Sequence, residues 1–184
     1  MTTRMKHDAG GRSRPPWRAD SKITSLFSEC EQYRYKLSES WDDTKPLVLW
    51  ILMNPSVACL AYSDPTLRKT GAFSRKWGYG GQLIGNVHAY RATDKYRLLE
   101  VADPVGPGND QAILEMAEVA STIVIAYGSP PGKLKARGKE VVEMLKGHPG
   151  LSYLKLAKDG VTPCHPLYLP SECIPKPYAN VPVA

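Results

Sequence analysis

The sequence has no long hydrophobic run. No stretch approaches the ~18 apolar residues that a membrane helix needs, so no membrane partner is expected. The N-terminus lacks the apolar core of a secretory signal, and a cytoplasmic location is the expectation. Cysteine is scarce: Cys30, Cys59, Cys164 and Cys173 form no C-x-x-C pair. That argues against a disulfide framework and against a zinc knuckle. The signatures G-x-x-x-x-G-K-[ST], G-x-G-x-x-G, G-x-S-x-G and H-E-x-x-H are all missing. Gly78-Tyr79-Gly80-Gly81 follows a helix signal and precedes a strand signal. That is the wrong order for cradling phosphate at a helix start. Carboxylates are sparse near the strand ends, Asp64 and Asp94 excepted. This disfavours a metal-dependent phosphotransferase or nuclease. Neither a cofactor nor a metal is expected.

What is present suits one globular domain. The chain has 184 residues, 42% of them hydrophobic, enough for a real core. The 15 glycines and 16 prolines mark a loop-rich protein. Net charge is +6, and it is segregated. Residues 1–22 carry six bases against Asp8 and Asp20, and Thr66 to Arg97 carries seven against Asp94. From Leu98 to Ile123 there are five acids and no base. Residues 1–20, rich in Gly, Arg, Ser and Pro, read as a flexible basic arm. Residues 21–184 read as a single α/β domain.

Strand and helix signals alternate. Tyr33–Leu37 alternates aromatic and charged residues, as an edge strand does. Leu47–Met53 is a continuous apolar run, the mark of a central parallel strand. Asp64-Pro65 opens a helix that reaches Trp77, with Leu67, Thr70, Phe73, Ser74 and Trp77 on one stripe. Strands follow at Gln82–Asn86, Ser121–Ala126 and Leu151–Leu156. Helices are expected at Asn109–Val119, entered through an Asn or Asp cap, and at Lys135–Lys146. The pattern predicts a three-layer α/β/α sandwich with a short, mostly parallel central sheet.

In open α/β sheets, ligands bind beyond the carboxyl ends of the strands at a topological switch point. Polar groups gather there in this sequence. Asn54-Pro55-Ser56 follows the first apolar strand. Asn86 ends the next and leads to Tyr90 and Arg91. Tyr127-Gly128-Ser129 follows the third, and His165-Pro166 comes after the fourth. Each has a purely structural use as well: a turn, a satisfied backbone group, a helix entry, a loop-locking hydrogen bond. Together they mark a candidate site. Arg68, Lys69, Arg75 and Lys76 on the first helix form a candidate phosphate-binding patch.

The ordered set Leu52-Met53-Asn54-Pro55-Ser56, Asp64-Pro65-Thr66, Trp77-Gly78-Tyr79-Gly80, Asn86, Tyr90-Arg91-Ala92-Thr93, Gly106-Pro107-Gly108-Asn109-Asp110, Lys158-Asp159-Gly160 and His165-Pro166-Leu167-Tyr168 resembles a bacterial and phage domain family of unknown function. More distantly, the layout is similar to the uracil-DNA glycosylase superfamily. That resemblance implies a glycosylase-type sandwich. It places Asn54 where those proteins hold the attacking water, Asn86 where they read the base edge, and His165 where they stabilise the departing base. The sequence departs from that pattern at three places. Asn54 stands where the classical branch has an activating Asp, Ser56 replaces a Gly, and Leu167 replaces a Ser.

The expected function is action on a nucleobase or nucleotide in DNA or RNA, by N-glycosidic cleavage or a related base modification. Asn54 and His165 are the candidate catalytic residues. Ser56, Asn86, Tyr90, Arg91 and Tyr127 are candidate substrate contacts, with Tyr62, Tyr90 or Tyr127 available for stacking. The alternatives are a non-catalytic nucleic-acid-binding module, or an enzyme on free nucleotides or another small molecule.

Overall fold

The structure, a computed structural model, describes residues 15–56 and 60–178. The first fourteen residues of the expected arm, and Cys59, lie outside the described residues. The chain runs β1 (Lys22–Phe27), β2 (Arg34–Ser40), β3 (Leu47–Leu52), α1 (Pro65–Lys76), β4 (Gly81–Asn86), α2 (Asn109–Val119), β5 (Ala120–Ile125), α3 (Lys135–Leu145), β6 (Leu151–Tyr153) and β7 (Lys176–Pro177). Short 3-10 turns cover Lys95–Leu99, Gly132–Leu134 and Pro166–Tyr168.

The seven strands form one sheet in the order β1-β2-β4-β3-β5-β6-β7. The sheet is mixed, not mostly parallel. β4, β3, β5 and β6 run parallel, whereas β1–β2, β2–β4 and β6–β7 pair antiparallel. The expected edge strand, β2, is covered by β1, whose polar-rich Lys22–Phe27 carries only a weak strand signal. β6 is three residues long, shorter than expected.

Helices pack on both faces of the sheet, and side-chain alternation along the strands assigns them. Leu49 and Ile51 of β3 and Ile123 and Ile125 of β5 join Ile113 and Met116 of α2 and Val141 and Leu145 of α3. Val48, Trp50 and Leu52, with Val124 and Ala126, join Leu67 and Phe73 of α1 and Leu169 of the C-terminal segment. On this second face Trp77 stacks on both Trp50 and Phe73, which meet each other at a tilt, with centroids 5.2–6.0 Å apart. The indole of Trp50 donates to Ser74 Oγ at 3.0 Å, so its buried N–H is satisfied.

The helix caps are part of the site. Asp64 is the N-cap of α1, accepting from Leu67 N at 2.8 Å, and Pro65 occupies the first turn. The expected Asn or Asp cap of α2 is absent. Gly108 holds the cap position, while the buried Asn109 turns inward and donates to Asn86 O at 2.9 Å.

Part of the expected arm is docked. Pro15 O accepts from Ser63 N at 2.9 Å, Pro16 bridges Tyr62, and Trp17 packs against the α1-side core. Asp20 receives both terminal nitrogens of Arg75. Trp17 supplies the apolar area that composition alone hides.

Candidate functional site

β3, β4, β5 and β6 present their carboxyl ends along one edge. From β3 the chain crosses by α1 to β4 on one side, then by α2 to β5 on the other side of β3. The switch point therefore lies between the ends of β3 and β5. A cleft of about 870 Å³ opens there, between the strand ends, the start of α1 and the segment 164–169. Asn54, Ser56, Asn86, Gly128 and His165 all line it. It lies within the roughly 300–1,000 Å³ range of small-ligand sites.

Parity along the strands explains which side chains reach the cleft. Leu52 and Ile84 belong to the α1-side core, so two residues further on Asn54 and Asn86 fall on the same side. Tyr127 has the other parity. It follows Ile123 and Ile125 into the α2–α3 core. A Cβ on Gly138 of α3 would stand 2.5 Å from Tyr127 Cζ. Burial also pushes its phenol above the ordinary range. Tyr127 lines the cleft as expected, but its ring packs into the α2–α3 core instead of standing free as a stacking platform.

Asn54 commits its amide nitrogen to loop carbonyls, Ala92 O at 2.6 Å and Pro55 O at 3.1 Å. That fixes the amide's orientation and leaves Oδ1 as an acceptor. Asn86 is the opposite case. It is 1% exposed, and both its Oδ1 and Nδ2 lack any partner. A buried unpaired amide costs roughly 1–3 kcal/mol per lost bond, which makes Asn86 the cleft residue with the most unused hydrogen-bonding capacity. His165 caps the 3-10 turn at Pro166–Tyr168, its Nδ1 accepting from Leu167 N at 3.4 Å. The expected loop-locking bond thus exists, and it leaves Nε2–H as the ring's donor. Burial, aided by the Lys95 charge, lowers the His165 pKa to about 4. The ring is neutral at pH 7. Gly128, at φ +72°, lets the His165 loop approach: a Cβ there would lie 3.0 Å from His165 Cβ.

Several expected contacts lie elsewhere. Tyr90 does not line the cleft; it packs edge-on against Tyr33 at 5.7 Å. Arg91 sits over the Phe27 ring and donates to Glu31 O at 2.9 Å. Tyr62 is held at the Pro16 bridge. Three bases of the expected α1 patch are engaged within the chain. Lys69 and Lys76 donate to Ser171 Oγ and Ser171 O, each at 3.0 Å. Arg75 pairs with Asp20 and stacks 4.0 Å from the Trp41 ring. Arg68 is exposed and lines a smaller hollow beside Trp17.

Other cleft residues carry chemistry that the motifs do not announce. Asp64, 7% exposed, and the buried Arg34 form part of the wall. Lys95 reaches across to donate to Ser129 O at 2.7 Å. Lys155 also lines the cleft. Tyr96 and Tyr168 line it while remaining 58% and 83% exposed. An aromatic two residues past a histidine-proline turn was the available signal for Tyr168. For Arg34 no local signal exists, because its place depends on the β2–β4 pairing. Among the described residues, no cluster of three or more His, Cys, Asp or Glu could hold a metal.

The fold and cleft define an α/β protein with a polar cleft at the switch point of a mixed sheet. Residues 34–167 match the family described as a protein of unknown function (DUF1643), and the chain belongs to that family. No curated protein and no solved structure matches the chain. No helix among the described residues is long and apolar enough to cross a membrane.

Proposed function

We propose that the cleft binds a nucleobase-bearing ligand and hydrolyses its N-glycosidic bond. Asn86 carries this reading. Its donor and acceptor lie side by side, buried and unpartnered, at the floor of the cleft. An amide pair of that kind complements the adjacent acceptor and donor on the edge of a nucleobase. His165 contributes a neutral imidazole that donates to negative charge on the departing base. Such a preorganised donor is worth about 3 kcal/mol in the transition state. Asn54 Oδ1 accepts from the attacking water. Helices on both sheet faces, with the site at the carboxyl ends of parallel strands, suit a glycosylase-type sandwich.

The bases of α1 favour a free nucleotide over a polymer as the carrier of that base. Lys69, Arg75 and Lys76 hold chain segments and are not available as a phosphate track. The test is base release, followed by chromatography and mass spectrometry. The panel consists of nucleoside 5′-monophosphates and single-stranded oligonucleotides with one deoxyuridine or deoxyinosine. Release that disappears in Asn86→Leu supports the proposal. Failure of every panel member to bind or react overturns it. Binding without release would leave a recognition module on the same fold.

A further inference from the structure

We infer that Asp64 is the general base that activates the attacking water. The inference rests on the N-glycosidic reading above. Asn54 is an amide and cannot take a proton from water, and the neutral His165 is placed as a donor. A hydrolytic site needs a proton acceptor, and among the described residues only two carboxylates, Asp64 and Asp94, line the cleft. Asp94 is exposed and caps the 3-10 turn, accepting from Tyr96 N at 2.9 Å. Asp64 is 7% exposed. Its Oδ1 is tied to Leu67 N, which locks the carboxylate's orientation. The helix N-terminus engages Oδ1, which leaves Oδ2 as the oxygen placed to meet a water.

The surroundings hold this carboxylate still. The preceding Ser63 N is anchored on Pro15 O at 2.9 Å. Arg68 N donates to Asp64 O at 3.0 Å, the first bond of α1. A base held on a 12-residue helix is rigid, which suits a group that must meet a water in one geometry. In the step itself the water oxygen bonds to the sugar C1′ while the C1′–N bond breaks. The bonding pair leaves with the base, whose charge His165 and Asn86 Nδ2 stabilise. The water proton passes to Asp64 Oδ2, and from there to the departing base. The products are a sugar hydroxyl and a neutral base, and the carboxylate is restored.

The test uses the full chain, with the best substrate from the panel above and its 2′-fluoro analogue as a slowly cleaved binding probe. Asparagine is as good an N-cap as aspartate, so Asp64→Asn keeps the helix start. Its kcat should fall by about 10²–10⁴-fold, the usual share of a general base, with the probe's Kd within about twofold of wild type. Asp64→Gly opens a space at the same point and costs little as a cap. Added formate should restore part of its kcat without changing KM, an effect that a purely structural aspartate would not show. Asp64→Asn turning over within threefold of wild type overturns the assignment and leaves the nucleobase reading standing. A wild-type protein that releases no base from any panel member overturns both.

Discussion

Replacing Asn86 by leucine separates a ligand-reading amide from a structural one. Asn86 ends β4 opposite Leu52 in the parallel ladder, and Leu52, Leu67 and Leu169 line the same cleft. Its two amide heavy atoms are buried without partners. Leucine is close in size, removes both orphaned groups and adds apolar contact. An unsatisfied buried group costs roughly 1–3 kcal/mol, and the different branching at Cγ offsets some of the gain. Asn86→Leu should therefore stabilise the free protein by about 1–2 kcal/mol. For a chain of this size that raises Tm by roughly 2–8 °C. The same change should weaken binding of the nucleobase probe by at least about 30-fold, the loss of two net hydrogen bonds. Urea unfolding and calorimetry of the free protein measure the first effect, and titration calorimetry the second. A variant that is less stable than wild type by 2 kcal/mol, while binding normally, would refute the assignment of Asn86 to the ligand.

Three more outcomes follow from the geometry. Trp17→Ala should lower stability by about 1–2 kcal/mol, because the ring packs on the α1-side core; an unchanged urea midpoint would contradict that docking. His88 and His165 both have pKa values lowered from 6.5 to about 4, chiefly by burial. The unfolded chain then binds more protons between those values, so stability is complete above about pH 6.5 and falls as pH drops toward 4. For His88, 1% exposed, the loss is about 2–3 kcal/mol, and urea midpoints from pH 7 to pH 4 should show it vanish in a variant lacking that histidine. Gly128→Ala should cost about 1–2 kcal/mol through its left-handed φ. It should also displace His165 and cut base release, and a fully active, equally stable variant would contradict the close approach.

The strands and helices that position the cleft were legible because burial dictates them. Leu47–Leu52 is a continuous apolar run, Ile123–Ala126 is a shorter one at the end of β5, and α1 announces itself by Asp64-Pro65. Convergence of Asn54, Asn86 and His165 followed from one rule about strand ends. The strand-end rule says nothing about faces, however, and face is what sends the Tyr127 ring into the core although the residue lines the cleft. Its parity with Ile123 and Ile125 was available in the sequence and points the ring away. Tyr90 and Arg91 failed for a different reason. They lie on the excursion after β4, whose path is set by tertiary contacts with Tyr33, Phe27 and Glu31. β1 was invisible because an edge strand with alternating exposed positions buries little. The outer antiparallel pairs rest on that strand and on two residues at Lys176–Pro177, too few to carry a pattern, and the antiparallel β2–β4 pairing is set by tertiary contacts that no local pattern announces.

Charge is the property that sequence and structure assign most differently. Seven bases between Thr66 and Arg97 suggest a polyanion partner, yet α1 uses three of its four bases to clamp the segments around Asp20 and Ser171. Arg75 holds Asp20, while Lys69 and Lys76 hold Ser171, beside the bond from Trp77 Nε1 to Cys173 O. The helix that sets Asp64 in the cleft is thus also the anchor for the segments before β1 and before β7. Removing those bases should loosen the clamps before it weakens any hold on phosphate. Arg75→Ala should lower Tm, since the Trp41 stack alone is worth about 0.5–1 kcal/mol. It should leave the salt dependence of any oligonucleotide binding unchanged. Residues 1–14 hold four bases and one acid. Their removal should flatten that dependence, by up to about 0.7 in log–log slope for each single-strand phosphate that the arm neutralises. Base release from a free nucleotide should not change in the shortened chain. If Arg75→Ala flattens the slope while Tm stays fixed, the helix face is a phosphate track after all, and the polymer becomes the better substrate.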